Sequence, residues 1–303
     1  MSFVKKYHTV YGTSKAIRAT CHYGFRILKK LKKSHFDKPV MINNYNMFLI
    51  PDDYGISKEL SVFKSHEPIN TKIISKILKK GMTCIDIGGN IGYYVLLERK
   101  LVGKDGKIIA IEPYHKNFQY LEKNIKLQNT ENILAFNFAC GDKEGKVPFY
   151  INKKSNGCQV IREDVKLPDL SKGTLTEVPI KTLDSIVDEL KLDRVDFVRM
   201  DAEGYELHIL RGLKKTLANF KPIISLELHK RQLGMEGTRD FFKMMKELNY
   251  EIESYIPRDL DVPLIGTMKD VKKPSIDELL EMIEKGKIGS YLMLNLVNWS
   301  NME

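Results

Sequence analysis

The chain has 303 residues, of which 43% are hydrophobic and 29% charged, and its formal net charge is +10. Those values allow one large α/β domain or two small ones, and they exclude a collagen-like, disordered or disulfide-stapled protein. No uncharged apolar run reaches the ~18 residues that a membrane-spanning helix needs, and the first residues lack the apolar core of a secretory signal.

The charge sits mostly at one end. Residues 1–38 hold ten Lys and Arg against Asp37 alone, so the rest of the chain is almost neutral and no nucleic-acid-binding face is expected on it. Within this basic arm Ile17, Cys21, Phe25, Leu28 and Leu31 recur at helical spacing, with Arg18, His22, Arg26, Lys29, Lys32 and Lys33 on the remaining faces. Such a helix has two destinations, an anionic membrane surface or its own domain. Residues 39–67 read as a small β/loop segment, and 68–300 as the main domain. Four cysteines occur without a CxxC pair, and Cys84 and Cys140 lie in apolar runs, which fits reduced core thiols in a cytoplasmic protein.

From residue 82 onward short apolar runs alternate with helical patterns. Strands are predicted at 82–87, 107–112, 132–139, 195–200, 222–228, 250–256 and 291–298, with helices at 114–129 and 204–219 among them. Continuous apolar strands separated by helices imply a mostly parallel sheet covered on both faces. Residues 141–180 break the rhythm with Gly141, Gly145, Gly157, Pro168 and Gly173, and read as a rim insertion with short strands at 146–151 and 176–181.

The most informative string is Cys84-Ile-Asp86-Ile-Gly88-Gly89-Asn90-Ile-Gly92-Tyr93-Tyr94. A strand ends, glycines turn the backbone tightly, and a helix begins, as at a cofactor loop on the carboxyl edge of an α/β sheet. Glu112 closes the next strand, where a carboxylate can accept both ribose hydroxyls of an adenosine. Asp86, Glu112, Asp201 and Glu227 each close a predicted strand of the parallel core. A cleft shared by four acids repels a pyrophosphate and suits a sulfonium donor, S-adenosylmethionine. Asn90 also stands where a dinucleotide loop carries its second glycine.

Taken with Ile111-Glu112-Pro113, Asp201-x-Glu203-Gly204-x-Glu206 and Glu227-x-His229, the loop Asp86-x-Gly88-x-Asn90-x-Gly92-Tyr93 resembles that of the FkbM-type methyltransferases over roughly 65–256. The resemblance implies a class I methyltransferase fold, an α/β Rossmann-like architecture with a seven-stranded sheet in order 3-2-1-4-5-7-6 and the last strand antiparallel. It also implies O-methylation of sugar, glycan or natural-product-like hydroxyls. On that basis Asp86, Gly88, Gly89, Asn90 and Gly92 hold the methionine part of S-adenosylmethionine, and Glu112 its ribose. Ala139 and Asp142 are expected near the adenine, and Glu67 where relatives close over the cofactor.

For the acceptor, a base within hydrogen-bond reach of the hydroxyl is expected. Glu227 and His229, two apart on an extended strand, point the same way, so a carboxylate can raise and orient the imidazole. Asp201 bounds the acceptor pocket, while Glu203 binds acceptor hydroxyls or orients Arg199 or Arg211. Asn156 in the insertion is a further acceptor contact, and Glu206 complements the dipole of the helix that it opens. No metal is expected, because no Asn or further Asp completes a ligand set around these acids. Two alternatives stand beside this reading, an RNA ribose 2′-O-methyltransferase and a NAD-dependent oxidoreductase. The first needs lysines beside Asp201 and Glu227, and the second is disfavoured by the acidic cleft.

Overall fold

The computed structural model describes residues 13–28, 38–51, 53, 55–152, 157–162 and 168–298. Helix α1 (Thr13–Leu28) comes first, followed by a hairpin of β1 (Val40–Ile42) and β2 (Tyr45–Met47) and two helices, α2 (Ile56–Phe63) and α3 (Pro68–Ile77). The segment expected as β and loop therefore also contains a helix.

Beyond it lies the sheet. Strands β3 (Thr83–Ile87), β4 (Lys107–Ile111) and β5 (Ile133–Phe136) alternate with α4 (Tyr93–Val102) and α5 (His115–Lys126). The chain then detours through a separate four-stranded sheet of β6 (Ala139–Cys140), β7 (Gly145–Asn152), β8 (Gln159–Val160) and β9 (Gly173–Lys181), in order β6-β9-β7-β8. It returns through α6 (Leu183–Glu189), β10 (Phe197–Met200), α7 (Glu206–Arg211), α8 (Lys214–Phe220), β11 (Ile223–Leu228), α9 (Lys230–Glu247), β12 (Tyr250–Pro257), α10 (Ile276–Glu284) and β13 (Leu292–Asn298). The main sheet runs β12-β13-β11-β10-β3-β4-β5, and β13 is antiparallel to both of its neighbours. Counted along the chain from β3 and read from the β5 edge, that is the order 3-2-1-4-5-7-6 of the class I methyltransferase fold.

Alternation along each strand divides the core in two. Ile85, Ile87, Ile109 and Val198 pack on one face with Leu210, Phe241 and Phe242. Cys84, Ile108, Ala110 and Phe197 pack on the other with Tyr93, Leu96 and Ile74. Every residue of β3 is buried, as expected of a central parallel strand covered on both sides.

Three departures from the sequence reading have local causes. The strand predicted at 132–139 is two, because Ala139 and Cys140 leave the main sheet to pair with β9. The helix predicted at 204–219 breaks at Gly212, where a Cβ would stand 1.9 Å from the Gly141 carbonyl oxygen. The second half restarts against Asp184, whose carboxylate accepts hydrogen bonds from the amides of Lys215 and Thr216. Finally, α1 does dock on the domain, but not by its predicted apolar face. Ala16, Ala19 and His22 are buried, in contact with Leu260, Ile265 and the ring of Phe63, whereas Ile17 is 59% exposed and Cys21 is exposed. Leu31 and the side chains of Phe25 and Leu28 lie outside the described residues. No described helix is long and apolar enough to cross a membrane.

Candidate active site

A cavity of about 780 Å³ opens over the carboxyl ends of β3, β4, β10 and β11. It lies in the upper part of the ~300–1,000 Å³ range of small-molecule sites, with room for an acceptor beside a nucleoside.

One end is made of backbone. The amides of Gly88 and Gly89 both donate to the Ile111 carbonyl at 2.9 and 3.0 Å, locking the turn onto β4. Gly88 has a φ of +82°, and a Cβ there would lie 2.1 Å from the Asp201 carbonyl oxygen, so only glycine fits. Asn90 occupies the left-handed region, and its amide donates to Glu112 Oε2 at 2.8 Å; the Tyr114 amide donates to Oε1 at the same distance. Burial pushes Glu112 up to about 7 despite these two bonds. Gly88, Gly89, Asn90, Glu112 and Ala139 all line the cavity.

Three residues assigned to the cofactor do not line it. Asp86 is fully buried beneath the cavity, its Oδ1 accepting from Arg199 Nη1 at 3.2 Å and its Oδ2 without a hydrogen-bond partner among the described residues. Gly92 caps α4 and packs on Leu121. Asp142 turns outward to His208 at 2.8 Å, because the chain there has left the main sheet for β9. Asn156 lies outside the described residues.

Ionised side chains make the other end. Arg199 lies between Asp86 and Asp201 (3.5 Å to the latter), its guanidinium 4.0 Å from the centre of the Tyr94 ring. The Tyr94 hydroxyl donates to Glu67 Oε2 at 2.7 Å. Glu67 Oε1 meets both His66 Nε2 (3.1 Å) and Arg258 Nη2 (3.0 Å), and Arg258 Nε donates to Glu227 at 3.0 Å. His66 in turn contacts Glu59 at 3.0 Å. The result is a line of alternating charge, Glu59–His66–Glu67–Arg258–Glu227, along the wall. Burial alone would raise Glu67, but the His66 and Arg258 charges hold it below the usual carboxylate range.

His229 belongs to a different pair from the one its spacing suggested. Strand β11 stops at Leu228, and His229 caps α9, so the alternation that would set it beside the Glu227 carboxylate no longer applies. Its Nδ1 lies 2.7 Å from Glu206 Oε1, which also accepts from the Gly204 amide, while Glu227 is taken by Arg258. A carboxylate only accepts, so Nδ1 carries the proton. The other nitrogen, Nε2, reaches towards Glu203 (3.4 Å) and Asp201 (3.8 Å). Burial opposes the imidazolium, but Glu206, Glu227 and Glu203 together raise His229 well above the usual histidine range. Glu203 is held in the left-handed region before Gly204, and burial beside Asp201 and Glu227 lifts its carboxyl to about 7 despite the opposing charge of His229. Neither arginine is oriented by it: Arg199 pairs with Asp86 and Asp201, and Arg211 with Asp240 on the surface.

Sequence reasoning gave no site role to Arg258, His66 and Tyr94 and only a dipole role to Glu206. Arg258 and His66 come from segments without a motif, and Tyr94 closes the glycine string, but its partner Glu67 lies 27 positions away. Glu206 was visible in the acidic string, but its partner depends on how α9 starts. Asp201, Glu227 and His229 each offer an atom within 4.8 Å of the others, a spacing that a divalent ion can bridge. Here Arg258 and Arg199 already balance Glu227 and Asp201.

The donor set fits a cationic cofactor. Glu59, Glu67, Glu112, Asp201, Glu203 and Glu227 all face the cavity, and both arginines of its wall are engaged in ion pairs. The glycine loop 88–92 contains no Lys or Arg to receive a pyrophosphate.

Residues 86–257, more than half of the chain, match the family model of the methyltransferase FkbM domain. Among curated proteins, the chain is similar to Methyltransferase 1 of Beauveria bassiana, with 28% identity over 43% of this chain and 57% of that one. It is also similar to the 2-O-methyltransferase NoeI of Sinorhizobium fredii (25% identity, 68% of this chain and 86% of that one). A third relative is the hexuronic acid methyltransferase AglP of Haloferax volcanii (23% identity, 58% and 66%). The first and third matches thus span less than two thirds of those proteins' lengths. The glycine loop, the acidic cavity and the family match agree: the chain belongs to the FkbM methyltransferase family, whose methyl donor is S-adenosylmethionine.

Proposed function

We propose that this protein is an O-methyltransferase that methylates a hydroxyl of a sugar-containing or similarly polyhydroxylated small acceptor. His229 is its general base, and Glu206 is the carboxylate that prepares it. The observation that carries the proposal is the 2.7 Å contact between His229 Nδ1 and the fully buried Glu206, which leaves Nε2 as the basic atom on the cavity side. The names of two relatives, a 2-O-methyltransferase and a hexuronic acid methyltransferase, support an oxygen acceptor.

When bound, S-adenosylmethionine supplies a methyl group already activated by its sulfonium. The chain's own work is then chiefly positioning and proton removal. Gly88, Gly89 and Asn90 would hold the methionine part and Glu112 the ribose, with Glu67 and Ala139 along the cavity wall. Asp201, Glu203 and Glu227 surround the place where a hydroxyl can meet His229 Nε2. Neutral His229 accepts the hydroxyl proton at Nε2 and becomes an imidazolium held by Glu206, with Glu203 and Asp201 close to its other side. Arg258 keeps Glu227 and Glu67 in place, and Arg199 does the same for Asp201.

The test is turnover of labelled S-adenosylmethionine against a panel of sugar, glycan and polyol acceptors, with calorimetry of donor binding in parallel. Methylated oxygen on at least one acceptor, abolished in His229→Gln with donor binding retained, is the expected result. Methyl transfer to nitrogen or carbon, or turnover unaffected in His229→Gln, would overturn it.

A further inference from the structure

Five tyrosines line the cavity among the described residues: Tyr93, Tyr94, Tyr150, Tyr205 and Tyr291. The first four are buried. Tyr93 donates to the His66 carbonyl at 3.1 Å, Tyr94 to Glu67 at 2.7 Å and Tyr150 to the Asp169 carbonyl at 3.0 Å, while the Tyr205 ring stacks on His208. Tyr291 differs. It is half-buried, and its hydroxyl has no hydrogen-bond partner among the described residues. The fold brings it to the base. Strand β13 runs antiparallel to β11 with Met293 opposite Glu227 and Leu292 opposite Leu228, so the next residue back, Tyr291, falls beside His229. The two rings make an edge-to-face contact, 5.3 Å between centroids and 77° between planes. Just before it, the Ser290 carbonyl accepts from the Arg231 amide and the Ile288 carbonyl from Lys230 Nζ, which pins this stretch to the start of α9. An aromatic ring with an open hydroxyl therefore stands next to the imidazole, in a wall where Asp201, Glu203 and Glu227 are all acids.

We infer that Tyr291 is an acceptor-binding residue that selects a sugar ring over an open-chain polyol. Its ring packs on the C–H face of a pyranose, and its hydroxyl bonds the sugar hydroxyl beside the one that is methylated. The inference deepens the O-methyltransferase reading above and rests on it. A pyranose has two kinds of surface. Its rim of hydroxyls needs hydrogen-bonding partners, which Asp201, Glu203 and Glu227 supply, whereas its C–H faces gain from leaving water against an apolar surface. An open-chain polyol carries hydroxyls along its whole length and has no face of fixed shape. Tyr291 is the aromatic group beside His229 that can meet such a face, and its polar tip serves the adjoining hydroxyl.

Initial rates with labelled S-adenosylmethionine would be measured on a panel of methyl pyranosides and on the matching alditols, for the full chain and for Tyr291→Phe, Tyr291→Leu and Tyr291→Ala. The wild type should prefer the pyranosides. Tyr291→Phe should lose about three- to tenfold in kcat/KM on them, as expected for one neutral hydrogen bond, mostly through KM. Tyr291→Ala should lose about thirty- to a hundredfold, because the ring contact goes as well. Turnover of alditols, and donor affinity by calorimetry, should stay within about twofold in every variant. Tyr291→Leu keeps apolar bulk at the head of β13 should alanine disturb the fold, and it should still fall well behind Tyr291→Phe on pyranosides. Equal losses on pyranosides and alditols would reduce Tyr291 to a packing partner of His229 and overturn the inference. Pyranoside turnover unchanged in all the variants, or a wild type that prefers alditols, would overturn it too while leaving the O-methyltransferase reading intact. Methyl transfer to nitrogen or carbon in place of oxygen would bring down both, so the two failures are distinguishable.

Discussion

The two ends of the cavity are built by different means. At the end proposed for the donor the important atoms are main-chain ones: the amides of Gly88 and Gly89 lie on the Ile111 carbonyl, and Glu112 is fixed by two more amides. At the acceptor end they are charged side chains, from Glu59 through Arg258 to Glu227 and from Glu206 to His229, drawn from five separate stretches of chain. A backbone cradle is rigid and tolerates no added atom. A charge network is tunable by pH and by single substitutions, which suits the proton transfer proposed for that end.

The sharpest way to break this contrast is to damage each end separately. His229→Gln removes the base, and turnover should fall about a thousandfold while donor affinity stays within about twofold. Gly88→Ala should do the reverse, because its Cβ meets the Asp201 carbonyl oxygen at a positive φ: donor binding is lost first. Calorimetry with S-adenosylmethionine on both variants decides. Equal loss of donor binding in the two would show that the ends are not separable.

Next in size is Arg258→Met. Glu67 and Glu227 would then be left buried and unpaired on one side, at a cost of about 2–3 kcal/mol once the partial exposure of Arg258 is allowed for. A drop of several degrees in Tm is expected, smaller in acid where both carboxylates can protonate. A Tm that does not move at neutral pH would mean that the charge line is ornamental.

Smaller again is Glu206→Gln. An amide can still meet Nδ1, but it no longer stabilises the imidazolium, so turnover should fall about ten- to a hundredfold. Glu206 is the largest of the charges raising His229, the others being Glu227 on β11 and Glu203 after β10, with Asp201 nearby and Arg258 set against Glu227. Turnover needs the neutral imidazole, so in the wild type it should climb with pH beyond the ordinary histidine range, and in Glu206→Gln the climb should begin at lower pH. An unshifted profile would reduce Glu206 to a packing residue.

What could be read from the sequence follows the same division. The donor end was legible because a tight turn leaves glycines at set intervals and a parallel strand leaves an apolar run; Gly88, Gly89, Asn90 and Glu112 are all in the cavity wall. Asp86 lies one residue before the end of β3, yet its side chain goes under the cavity to Arg199, and alternation along β3 does not say which face will hold a counter-charge. The acceptor end was half legible. Asp201, Glu203, Glu227 and His229 line the cavity, but the pairing of His229 turned on where β11 ends and α9 begins, a matter of one residue. Arg258 and Glu67 meet across 191 positions of sequence, and no local pattern announces a contact of that kind.

The smallest effect tests the donor end by pH. Burial raises Glu112 to about 7 from an ordinary value near 4.5, so the folded, donor-free protein holds a proton there that the unfolded chain releases. The stability this lends is complete below about 4.5 and is lost as pH rises through about 7. S-adenosylmethionine reverses the preference, since ribose hydroxyls donating to Glu112 favour an ionised carboxylate. Between about pH 5.5 and 7.5, affinity for S-adenosylmethionine should therefore rise by about three- to tenfold, and the increase in Tm on adding it should grow along with it. Glu112→Gln should flatten both trends and leave the donor-free protein less sensitive to pH in that window. If affinity falls or stays level in the wild type as pH rises, Glu112 does not accept from the donor's ribose, and the main-chain cradle alone accounts for binding at that end.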